Sequence, residues 1–178
     1  MARGKPVRQA RNVARMTAGI VLVATAVASG DAAAQMDHAA AFERLKSLAG
    51  EWEGARSAVG DTTRLSYRTA SNGTVVMEIL NQGGTDEMIN MYHLVDGKLM
   101  AAHYCAAGNQ PLLGLVAATD RELRFAFAGG SNIDAARDGH IHEVSITFRD
   151  DGRLDSRWVW YEGLHPDHDN TFTVARVR

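Results

Sequence analysis

The sequence predicts a mainly β protein, an antiparallel up-and-down barrel of about ten strands with one short helix before it. Three observations predict it. After Gly50 the apolar residues recur with a period of two. The breaks between the alternating runs carry turn chemistry, as in Asp96-Gly97 and Asp151-Gly152. The runs follow one another at hairpin distance with no long crossover, and a sheet that long curls and closes to remove its edges. A β-sandwich is the alternative, because local spacing does not separate it from a barrel.

The first element is an address. Arg3, Lys5, Arg8, Arg11 and Arg15 precede an apolar run from Ala18 to Ala28. That run of roughly 11 residues is short of the ~20 needed to cross a bilayer. Small residues lead to Ala32-Ala33-Ala34 just before Gln35, the order of a cleavable export signal. The expected organisation is a signal peptide over residues 1–34 and one barrel domain over 35–178. The expected location is periplasmic or secreted, with no membrane span left after cleavage.

Cleavage there leaves 14 basic and 20 acidic residues, a charge of about −6 that argues against nucleic acid as a partner. The single cysteine, Cys105, forms no internal disulfide.

Over residues 37–49, Phe42, Leu45 and Leu48 recur at helical spacing and Gly50 ends the run. Strands are predicted over 51–56, 63–69, 74–80, 87–95, 98–105, 113–119, 122–128, 140–149, 153–162 and 171–177. Strict alternation sorts their faces. Leu99, Ala101, His103 and Cys105 share one side, and His140, His142, Val144, Ile146 and Phe148 share another apolar side. The histidines are therefore expected to point inward. Trp158 and Trp160 share a face that could line a pocket.

Leu45-x-x-Leu48-x-Gly50-x-Trp52-x-Gly54 resembles the opening of lipocalin-like (calycin) barrels, in which a Gly-x-Trp strand follows a short helix. Met91-Tyr92-His93, the stretch His103-Tyr104-Cys105-Ala106-Ala107-Gly108-Asn109-Gln110-Pro111, Gly130-x-Asn132, His140-Ile141-His142 and the Trp158 strand carry a more specific resemblance, to exported bacterial lipocalin-like proteins of unknown function. It covers nearly the whole chain after residue 34 and implies a fold far more than an activity. The haem-binding nitrobindins are a similar small barrel group. This chain departs from them at Ala55-Arg56-Ser57, where a glycine-richer strand is expected.

The chemistry-bearing candidates are few. His103, Cys105, Asn109, His140 and His142 form one polar cluster, which with Tyr92 and Trp158 makes up the expected ligand-binding residues. Histidines that only complete the hydrogen bonding of a barrel end are the plainer reading. A metal or haem site on His103, His140 and His142, holding zinc, copper or haem with redox or isomerase chemistry, is the alternative. His165-Pro166-Asp167-His168-Asp169 reads as a polar loop before the last strand, with weak chelating capacity at best. No Gly-x-Ser-x-Gly, Gly-x-Gly-x-x-Gly or His-Glu-x-x-His motif occurs. A Cys105–His103 dyad lacks an orienting third group.

The function expected is therefore non-covalent binding of a small, mainly apolar molecule, with no catalytic residue and no cofactor. A third possibility is a barrel filled by its own side chains that acts through its surface.

Overall fold

In a computed structural model the described residues are Met1, 35–57 and 60–177. One helix, α1 (His38–Lys46), precedes ten strands: β1 (Gly50–Arg56), β2 (Thr62–Ala70), β3 (Val75–Leu80), β4 (Met88–Val95), β5 (Lys98–Tyr104), β6 (Gln110–Ala118), β7 (Glu122–Ser131), β8 (Gly139–Phe148), β9 (Leu154–Glu162) and β10 (His165–Arg176). Each strand pairs antiparallel with the next, and β10 returns to pair with β1, so the sheet closes as a barrel. Closure decides against the sandwich. The export signal expected over 1–34 lies, Met1 apart, outside the described residues. Among the described residues no helix is long and apolar enough to cross a membrane.

The helix forms where its caps allow. Asp37 accepts a hydrogen bond from the Ala40 N–H at 2.7 Å, a side-chain N-cap, and Arg44 and Lys46 stand in the last turn, where the helix dipole favours cations. Ala41, Phe42 and Leu45 are buried against the strands, and His38 accepts the Leu99 N–H at 3.1 Å. The helix thus covers one end of the barrel. The chain leaves it through Gly50, at φ 133°, in a region side chains rarely adopt. The buried Trp52 indole then donates to the Leu48 carbonyl at 2.9 Å and fixes the corner.

The hairpins follow the turn residues. Asp96 and Gly97, at φ 48° and 77°, make the two-residue loop between β4 and β5, whose positive φ matches the twist of the strands. Inward residues fill the barrel beside the helix, among them Leu65, Val76, Leu99, Leu113, Phe125 and Ile146, all fully or almost fully buried.

Three placements differ from the sequence reading. β10 begins at His165, so the expected polar loop is strand. Its register shifts between Pro166 and His168, and a bulge is where a proline without an N–H fits a sheet. β6 begins at Gln110 and takes in Pro111. β8 shifts register between Ile141 and Glu143 against β9, which breaks the alternation on which the inward histidines were assigned.

Candidate ligand cavity

The end of the barrel opposite α1 is open enough to hold a cavity of about 210 Å³. Its apolar wall is Met88 at the start of β4, Ile141 on β8, Trp158 and Trp160 on β9 and Phe172 on β10. Cys105, Ala106 and Ala107 close it from the turn between β5 and β6, and His168 and Asn170 join from β10. Both indole donors are already satisfied: Trp158 Nε1–H bonds the Ser156 hydroxyl at 2.8 Å, and Trp160 Nε1–H bonds Glu162 at 2.6 Å. The two rings consequently offer the cavity only their apolar bodies. At the rim the Arg56 guanidinium pairs with Asp86, which also accepts from the Asn81 amide. Burial works against the Asp86 carboxylate, yet the Arg56 hydrogen bond and charge, with Asn81, bring it below its ordinary value. Burial also pushes the Cys105 thiol up, away from thiolate chemistry.

Beneath this floor lies a sealed polar layer. Glu78 on β3 is fully buried and accepts from Tyr67 Oη, from Tyr92 Oη at 2.6 Å and from Asn90 Nδ2 at 2.9 Å. Burial raises the Glu78 carboxyl above its usual range, although the three hydrogen bonds pull the other way. Tyr67 and Tyr92 are held well above the ordinary phenol range, first by burial and then by the neighbouring carboxylate. The Asn90 oxygen faces His103 Nδ1 at 2.7 Å. An amide oxygen only accepts, so the proton sits on Nδ1, and Nε2 is a bare lone pair closed to solvent and without a partner. Burial lowers His103 to about 4, which keeps the ring neutral at physiological pH.

The other histidines lie elsewhere. Because of the shift in β8, Ile141 pairs with Trp160 and takes the cavity-facing place, while His140 pairs with Tyr161. His142 stacks on Tyr161, ring centres 4.0 Å apart, and Phe127 packs on both imidazoles. His140 Nδ1 donates to the Asp138 carbonyl at 2.9 Å, and its Nε2 meets His142 Nδ1 at 3.0 Å. Burial lowers His142, and the charge of His140 adds to this against the opposing pull of Glu143. Asn109 Nδ2 donates to the Gly139 carbonyl at 2.8 Å, tying the β5–β6 turn to β8.

Of the expected ligand residues, then, Cys105 and Trp158 line the cavity. Tyr92 and His103 lie under it, Asn109 fastens a turn, and His140 and His142 brace the wall beside Tyr161. Among the described residues no three His, Cys, Asp or Glu side chains converge to hold a metal ion, so this placement gives the histidine–metal alternative no support. At about 210 Å³ the cavity lies below the ≈ 300 Å³ at which pockets for drug-sized ligands begin.

Sequence reasoning missed Arg56, Asp86, Met88, Ile141, Asn170 and Phe172 on the cavity, and Glu78 below it. Glu78 had a signal, since it stands between Val76 and Leu80 on an alternating strand and so shares their inward face. Compared with known protein families and with curated proteins, the chain matches none.

Proposed function

We propose that this chain is an exported, lipocalin-like binding protein that takes one small, flat, mainly apolar molecule into the cavity between Trp158, Trp160 and Phe172. The observation that carries this reading is a cavity of about 210 Å³ whose indole walls have no unsatisfied donor. Buried side chains such as Tyr92, Phe125 and Ile146 occupy the deeper interior, and the cavity of about 210 Å³ limits the occupant to about ten non-hydrogen atoms. At roughly 0.5 kcal/mol per atom, between the bounds for tiny and drug-sized ligands, the affinity is about 5 kcal/mol, a Kd near 0.2 mM. Burial of apolar area supplies it. Cys105, Asn170 and the Arg56–Asp86 pair supply orientation at the rim.

Titration calorimetry with indane tests the reading. One-site binding in the sub-millimolar range is expected, lost in Ile141→Trp, whose added ring fills the cavity while leaving the apolar wall intact. No binding, or binding that Ile141→Trp leaves unchanged, refutes it. Export is tested separately, by the mass of the protein recovered outside the cytoplasm: a chain beginning at Gln35 is expected, and an uncleaved chain counts against it.

A further inference from the structure

We propose that a second pocket, at the helix-covered end of the barrel, binds a small dianion of the phosphate class. The pocket holds about 230 Å³ and brings together four arginines: Arg44 from α1, Arg149 and Arg153 from the two sides of the β8–β9 turn, and Arg176 from β10. Among the described residues no acidic side chain lines it.

Two of the four charges are neutralised from outside the pocket. Arg149 pairs with Asp155 at 2.7 Å, and Arg153 pairs with Asp151 at 2.7 Å. The other two are not: among the described residues neither Arg44 nor Arg176 has a carboxylate within 4.0 Å. Arg176 donates to the Ser47 and Ala49 carbonyls. The helix terminus offers only about half an elementary charge against it, so the local balance stays positive in a chain of formal net charge −2.

The positive groups are also held in place. The Arg44 guanidinium lies 4.1 Å from the centre of the Phe148 ring and that of Arg176 lies 4.6 Å from the Trp52 ring, both rings lining the pocket. Gly50 makes room for Arg176, since a Cβ there would stand 2.6 Å from its Nη1. The Arg44 Nε–H is buried and has no acceptor. Planar, permanently charged guanidiniums match the oxygens of a phosphate better than lysine does. Two uncompensated positive charges match a dianion, and a volume of about 230 Å³ exceeds what one phosphate needs, leaving space for an ester group.

The test is thermal denaturation and calorimetry of the purified protein with inorganic phosphate, with phenyl phosphate, and with sodium chloride at matched ionic strength. A saturable rise in Tm with phosphate and one-site binding are expected, weakened at least ten-fold in Arg44→Gln and in Ser47→Asp. The second variant places a carboxylate in the pocket without removing any arginine, so it separates lost binding from lost folding. Tighter binding of phenyl phosphate identifies an ester as the occupant, and equal binding identifies phosphate itself. If chloride reproduces the whole rise in Tm, or Ser47→Asp binds phosphate as the parent does, the proposal is overturned.

Discussion

Tyr92→Phe removes one oxygen from the sealed polar layer and nothing else. The ring keeps its tilted contact with Phe125, centres 5.6 Å apart. Glu78 keeps Tyr67 and Asn90 but loses a 2.6 Å hydrogen bond in a place closed to solvent. A hydrogen bond to a neutral group contributes about 1 kcal/mol and one to a charged group about 1.5–3 kcal/mol, so the loss depends on the charge of Glu78. Its folded-state pKa is raised above the unfolded value. The native state therefore binds more protons than the unfolded state in that interval, and stability falls as pH rises through it. Removing the Tyr92 donor raises the folded-state pKa further and deepens that fall. Urea denaturation of parent and variant at pH 5 and pH 8 is expected to show a loss of at least about 1 kcal/mol that is larger at pH 8 than at pH 5. A loss that is the same at both pH values, or below about 0.5 kcal/mol at pH 8, refutes the assignment of Glu78 as the carboxylate this layer is built to hold.

Three further outcomes are expected. His103, lowered to about 4, binds a proton more readily when unfolded, so its own contribution to stability climbs between about pH 4 and 6.5, by about 3 kcal/mol, against the fall that Glu78 contributes; His103→Phe should lose that climb relative to the parent in acid denaturation, and an unchanged difference between parent and variant across those pH values counts against a buried neutral imidazole. Gly54→Ala places a Cβ 2.0 Å from the Thr173 carbonyl oxygen at the β1–β10 seam, where backbone has little room to yield; circular dichroism and proteolysis should show the barrel opening, with a loss of at least about 3 kcal/mol, and a variant within 1 kcal/mol of the parent by this measure shows that the seam can shift. Trp52→Phe loses the indole bond to Leu48 and some packing at the helix corner; a Tm lower by about 5–10 °C is expected for about 2 kcal/mol, and an unchanged Tm removes that corner from the account of stability.

The sequence by itself determined the ten strands and the helix, because both signals are local. Alternation is a property of neighbouring residues, and positive φ at Asp96-Gly97 needs only the residues that tolerate it. It also brought out Trp158 and Trp160, which share a face on one uninterrupted strand. Tertiary structure alone decided the rest. One register shift in β8 gave the cavity Ile141 and put His140 and His142 beside Tyr161, and a bulge is specified by the partner strand as much as by the bulged one. Arg56 and Asn170 meet at the open end, and Arg44 and Arg176 at the covered one, only because β10 comes back to β1. Closing the sheet fixes which strand ends converge, and no period along the chain encodes it.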